Sequence, residues 1–178
     1  APYFTPHYPQ ELHNRFFENL QKQIAQASEV RDYHRALDAM TYQRRELEAL
    51  GVRIAPTKQS FAQALNQSRL AIHSSALTTY LETLIMNYPT ICLWQPDVNL
   101  IRQELITFYN ELERVGIIFH DAKAAARQVN LIYDDVEGWW KDAERQKVVK
   151  HFIDNVCYTS NDAIDQWASF LKGLRSKL

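Results

Sequence analysis

Apolar residues recur along this chain with two different periods, and the changes between them mark its elements. Between Gln10 and Ala27, Leu12, Phe16, Leu20 and Ile24 recur every four residues, which predicts a helix with one apolar stripe. Val30 to Tyr33 is short and reads as a strand or a turn. Arg35 to Leu50 predicts a second helix, with Gly51 where a C-terminal cap belongs. Val52 to Ala55 then alternates and stops at Pro56, as a short strand does. Ser60 stands in the N-cap position of a helix over 61–66. Arg69 to His73 predicts a strand, Ser74-Ser75-Ala76 a turn of small residues, and Thr78 to Met86 a helix burying Tyr80, Leu81, Leu84 and Ile85. Pro89 to Trp94 is a continuous apolar run of strand length, as expected for a strand covered on both faces. Gln95-Pro96-Asp97 breaks it. Leu100 to Val115 predicts a helix closed by Gly116, and Ile117 to Phe119 one more short strand. From Asp121 onward the pattern is helical, over 121–136, 142–156 and 161–174, with Asp121 and Asn161 as N-caps.

Helices alternating with short strands imply parallel strands joined by crossover helices. The expected fold is therefore α/β, a Rossmann-like parallel sheet flanked by helices, with a helical C-terminal tail. No repeat or linker divides the chain, so one domain over 1–178 is expected. It divides into an extended lead-in over 1–9, an α/β core over 10–120 and a helical tail over 121–178. An all-helical bundle is the competing architecture, because helices dominate by residue count. The two strand–turn–helix units punctuated by Pro or Ser argue against it.

Composition narrows this picture. A chain of 178 residues suits one domain, which typically runs roughly 100–200 residues, and leaves too little for two Rossmann domains. Twenty basic and 21 acidic residues give a net charge of −1, so no basic excess points to nucleic acid or an anionic membrane surface. Cys92 and Cys157 are too few for a disulfide framework and have no CxxC spacing. Cys92 lies in the apolar run, so a buried, reduced thiol is expected. No apolar stretch has the length of a transmembrane span, and the first residues lack the basic-then-apolar order of a signal peptide. A cytoplasmic protein is the expectation.

The segment from Arg69 to Trp94 carries the chemistry. In open parallel sheets, ligands bind beyond the carboxyl ends of the strands, where the turn after Ile72 falls. A helix N-terminus there offers unpaired N–H groups and partial positive charge, which suit a phosphate. Ser74, Ser75, Thr78 and Thr79 add hydroxyls, His73 another donor, and Glu82, one turn on, a carboxylate for ribose hydroxyls. Taken singly, each residue has a plainer role: Ser and Thr cap helices, and a histidine at a strand end is commonly a satisfied structural residue. His120-Asp121 resembles a metal or acid–base pair, but Asp121 is a natural N-cap. A metal site would need more ligands than the spacing of His and Cys provides, so none is expected. Asp134, Asp135 and Glu137 read as a solvated face. Trp139-Trp140 reads as core, with stacking on a sugar the sharper alternative. No Cys/His or Ser/His/Asp nucleophile arrangement emerges.

Thr79-Tyr-Leu-Glu-Thr-Leu84, Asn87-Tyr-Pro-Thr-Ile91 and Trp94 resemble the donor-binding, C-terminal half of GT-B-type glycosyltransferases. More closely, the chain resembles a group of bacterial transferases of surface-carbohydrate biosynthesis. The likeness includes Ser68 to Ser74, continues through Leu112 to Asp121, Ala124-Ala125 and Ile132 to Trp140, and covers roughly Leu20 to Leu171. It implies a carbohydrate transferase with a nucleotide-activated sugar as donor and no further cofactor. Ser74, Ser75, Thr78 and Thr79 would stand on the phosphate side, Glu82 at the ribose, and Arg31 and Tyr33 would approach from the neighbouring strand. The acceptor's general base would come from an N-terminal partner domain. Two departures stand out: Tyr33 is followed by His34-Arg-Ala-Leu-Asp38, not by the family's Pro and Asp-Tyr-Gly-Trp, and the phosphate turn has no glycine. A non-catalytic domain whose tail helices dock another protein, and a phosphoalditol transferase using the same turn, are the alternatives.

Overall fold

The computed structural model describes residues 8–30, 44–56, 58–74, 78–94, 101–157 and 160–175. The chain runs α1 (Tyr8–Glu18), α2 (Lys22–Ala27), β1 (Glu29–Val30), α3 (44–49), β2 (Arg53–Ile54), α4 (Phe61–Asn66), β3 (Ala71–His73), α5 (Thr78–Ile85) and β4 (Thr90–Leu93). A 3-10 turn (Gln103–Leu105) leads into α6 (Ile106–Arg114), followed by β5 (Ile118–Phe119), α7 (Ala122–Ile132), α8 (Val136–Trp140) and α9 (Ala143–Phe152). A π-helical turn (Ile153–Cys157) extends α9, and α10 (Ala163–Arg175) is the last element.

Both sheets are parallel: β1 pairs with β2, and β3–β4–β5 form the larger sheet with β4 in the centre. All four β4 residues are buried, which is what its uninterrupted apolar run requires. The fold is the expected α/β arrangement of parallel strands flanked by helices with a helical C-terminal region, and the all-helical bundle is excluded by the strands. Helices on the two sides of β4 build two cores. In one, Leu12 and Phe16 of α1, Val52 and Ile91 meet Ala125 and Val129 of α7. In the other, Tyr80, Cys92, Tyr109, Leu112, Trp140 and Phe152 pack together. Cys92 is fully buried, and burial pushes its thiol well above the ordinary range.

Caps explain several boundaries. The Ser60 hydroxyl accepts from Gln63 N while Gln63 Oε1 accepts from Ser60 N, a complete capping box. Gly51 and Gly116 close their helices at φ +84° and +76°, where an L side chain is strained. Several boundaries differ from the sequence pattern. The first apolar stripe spans two helices, because the backbone leaves the ladder at Asn19–Gln21 and the Asn130 side chain takes over. Its amide donates to Asn19 O at 3.0 Å and its oxygen accepts from Gln21 N at 2.9 Å. The helix expected to reach residue 136 ends at Ile132, and Asp135 caps a new one by accepting from Gly138 N at 2.8 Å. The α9 helix widens into a π-turn after Phe152. Finally, α10 starts at Ala163, one residue beyond Asp162, whose carbonyl accepts from Gln166 N, so Asn161 is not its cap.

Candidate functional site

Parallel register sets the carboxyl edge of the larger sheet. His73 lies beside Cys92 and Cys92 beside Ile118, while Leu93 lies beside Phe119. The chain therefore leaves β3, β4 and β5 on one side, through Ser74, Trp94 and His120. Five residues after β3, α5 begins at Thr78.

The structure brings three side chains together at the β3 end: His73, Thr79 and Thr83. The His73 Nε2 lies 3.1 Å from Thr83 Oγ1, and its Nδ1 lies 3.5 Å from Thr79 Oγ1. Thr83 Oγ1 itself donates to the Tyr80 carbonyl at 2.8 Å, a back-bond within α5. The imidazole is wedged between the rings of Phe61 and Tyr80, each with its centroid 6.4 Å away. Desolvation by this burial lowers its pKa to about 4, so the ring is neutral at pH 7. Thr79 and Thr83 are one helical turn apart and present the same face to the strand. Thr78 and Glu82, also one turn apart, are exposed to solvent, and Ser74 is half-buried. Ser75, Arg31 and Tyr33 lie outside the described residues.

The β5 end is built differently. His120 Nδ1 donates to the Trp94 carbonyl at 2.7 Å, its ring packs 5.1 Å from that of Trp94, and its Nε2 lies 3.3 Å from Glu113 Oε2. Asp121 is the N-cap of α7, accepting from Ala124 N at 2.8 Å, so its carboxylate serves the helix. Among the described residues no group of three His, Cys, Asp or Glu could hold a metal ion.

The remaining candidates have structural partners. Asp135 is a cap, and Glu137 pairs with Lys141 on the exposed face of α8. Trp140 is buried in the second core and donates from Nε1 to Asn87 O and Oδ1 at 2.9 and 3.0 Å. Trp139 is half-buried, with the Arg145 guanidinium 4.5 Å above its ring. Thr83 and Glu113 were not distinguished by the sequence pattern. The signal for Thr83 is its spacing of four from Thr79, which puts both hydroxyls on one helix face.

No helix among the described residues is long and apolar enough to cross a membrane. Neither a curated protein nor a solved structure matches the chain. A model of the LIC12162 family transferases does match it, over residues 8–171. With nearly all of its elements inside that match, the chain belongs to the LIC12162 family of transferases.

Proposed function

We propose that this transferase chain is the donor-binding half of a carbohydrate transferase that takes a nucleotide-activated sugar. The observation that carries the reading is the passage from β3 into α5. An outer strand of the larger sheet ends at His73, and the next helix opens with two threonines on the carboxyl edge, where parallel sheets bind ligands. The donor's phosphate meets the free N–H groups of the first turn and the hydroxyls of Ser74, Ser75, Thr78 and Thr79. Glu82, a turn further on the exposed face, meets the ribose, and Arg31 and Tyr33 complete the approach. The contribution to catalysis is electrostatic: oriented N–H groups and the helix dipole stabilise negative charge on the departing phosphate. The acceptor's base belongs to an N-terminal partner domain, and the reaction runs in the cytoplasm.

Calorimetry of the chain with UDP, GDP, CDP and CMP tests this. Saturable binding by one of them is expected, weakened by Ser74→Ala with Thr78→Ala. A ligand at 100 times its Kd raises stability by about 2.7 kcal/mol, which a thermal-shift panel detects. CDP-alditols belong in the same panel, since a phosphoalditol donor would use the same turn. A second reading, a docking domain without catalysis, is favoured by α10. Its Ile164, Trp167, Phe170, Leu171 and Leu174 are all exposed. Silence with every nucleotide, together with a stable complex lost in Trp167→Ser, would favour that reading.

A further inference from the structure

The last helix carries its apolar residues at the spacing of a helix pair. In α10, Ile164, Trp167, Leu171 and Leu174 follow one another at intervals of three, four and three, the a and d positions of two heptads. All four are exposed, Ile164 by 85% and Trp167 by 64%, and Phe170 beside them meets the Trp167 ring edge-on at 5.8 Å. Neither core cluster contains a residue of α10. A helix of 13 residues is near the length at which helices are marginal in water unless tertiary packing covers their apolar face. That cover has to come from outside the two cores.

Charge runs along α10 in one direction. Asp162 and Asp165 stand at its start, Lys172 and Arg175 at its end. Turned end for end beside a copy of itself, the helix sets each acidic end against a basic one and opposes the two helix dipoles. Laid side by side in the same direction, like charges meet. The basic polar face of a helix that lies on a membrane is missing, because Asp165, Gln166 and Ser169 share that face with Lys172. We propose that α10 pairs antiparallel with α10 of a second copy of this chain, across a two-fold axis. Ile164 then lies opposite the partner's Leu174 and Trp167 opposite the partner's Leu171, with Phe170 near the axis. Such a closed pair uses the same patch on both copies. At about 150–250 Å² for a buried aromatic side chain and somewhat less for an aliphatic one, the five residues offer on the order of 600 Å² per copy, so a pair reaches the roughly 1,000 Å² that a specific interface needs. An interface at that lower limit pairs weakly, with a Kd on the order of micromolar. The pairing does not depend on the donor-site reading.

Sedimentation equilibrium of the whole chain across the micromolar range tests this. The expected result is a rise with concentration from the 20.8 kDa monomer towards twice that mass. Trp167→Glu changes an exposed residue outside both cores, so the chain still folds, and it should weaken pairing about thirtyfold or more, the scale of a central aromatic anchor. Leu131→Glu, at a residue of α7 that is 79% exposed, should leave pairing unchanged. Lys172→Glu reads the orientation. In the antiparallel pair it adds an acid beside the partner's acidic end and weakens pairing about two- to threefold at low salt, whereas in a parallel pair it removes a repulsion and tightens it. A monomer at every concentration overturns the proposal, and so does a dimer indifferent to Trp167→Glu or tightened by Lys172→Glu. Flotation with phosphatidylcholine–phosphatidylglycerol vesicles is the remaining arm. Binding that depends on Trp167, by a chain that stays monomeric, gives the face to lipid and overturns the proposal as well.

Discussion

His73 and His120 stand at the carboxyl ends of the two outer strands of one sheet, yet they are opposite in their surroundings. His73 is enclosed by α4 and α5, with threonine hydroxyls near both nitrogens and aromatic rings beside it, so desolvation keeps it neutral. His120 is anchored through Nδ1–H to a backbone carbonyl and turns Nε2 towards a carboxylate at the surface. Strand position alone therefore does not decide what a histidine does. The helix that follows, and whether it supplies hydroxyls or a carboxylate, decides. The two ends are joined by a line of rings from His73 through Tyr80, Tyr109 and Trp94 to His120, with centroid separations of 6.4, 6.4, 5.3 and 5.1 Å.

The largest expected effect comes from removing what both ends rest on. Phe152 is 1% exposed and packs edge-on against Tyr80 at 6.2 Å and Tyr109 at 5.2 Å. Phe152→Ala leaves a cavity beneath the ring line and should cost about 3–5 kcal/mol in urea denaturation. If the ring line joins the two ends, the ring resonances of both histidines shift in this variant. A shift at His73 alone would mean the ends are independent.

Next in size is the acid sensitivity of the buried end. The pKa of His73 is about 4 when folded and near 6.5 when unfolded, so the unfolded chain binds protons more readily. The stabilising difference is complete above about pH 6.5 and is lost as pH falls towards 4. For this one group the loss between pH 7 and pH 5 is about 2 kcal/mol. His13 is lowered to about 4 by burial as well, so the wild-type curve carries both residues. Comparing wild type with His73→Gln by denaturant midpoint at the two pH values isolates the share of His73. Equal slopes in the two proteins would place His73 in water and remove the basis of the comparison.

What could be read from the sequence was what is decided locally. Ser60, Asp121, Gly51 and Gly116 act within one turn of their own helix, and β4 is recognisable because burial on both faces demands an unbroken apolar run. The break after α1 was not legible, because the amide that bridges it belongs to Asn130, 109 residues from Gln21. Asp135 was hidden inside an apolar period that continues across its cap. At the site, His73 was recognisable as the end of a strand before a helix of hydroxyls. Its pairing with Thr83 was not, because that depends on how α5 is rotated against β3. Glu113 reaches His120 only because the chain turns at Gly116 between α6 and β5.

The smallest expected effect is at the surface end, and it sharpens the contrast by its size. The side chains of His120 and Glu113 are 36% and 47% exposed, so water screens the ion pair that a protonated His120 makes with Glu113, and both lose rotamer freedom by pairing. Glu113→Gln should cost about 0.2–1 kcal/mol, and raising the salt to about 1 M, where the screening length falls to about 3 Å, should remove most of that. The substitution leaves His120 anchored to the Trp94 carbonyl, so its Nδ1–H bond persists, which nitrogen spectra of the labelled histidine rings check. A loss well above 1 kcal/mol that survives high salt would mean that Glu113 is a structural partner of the edge, on the same footing as Thr83 at the buried end.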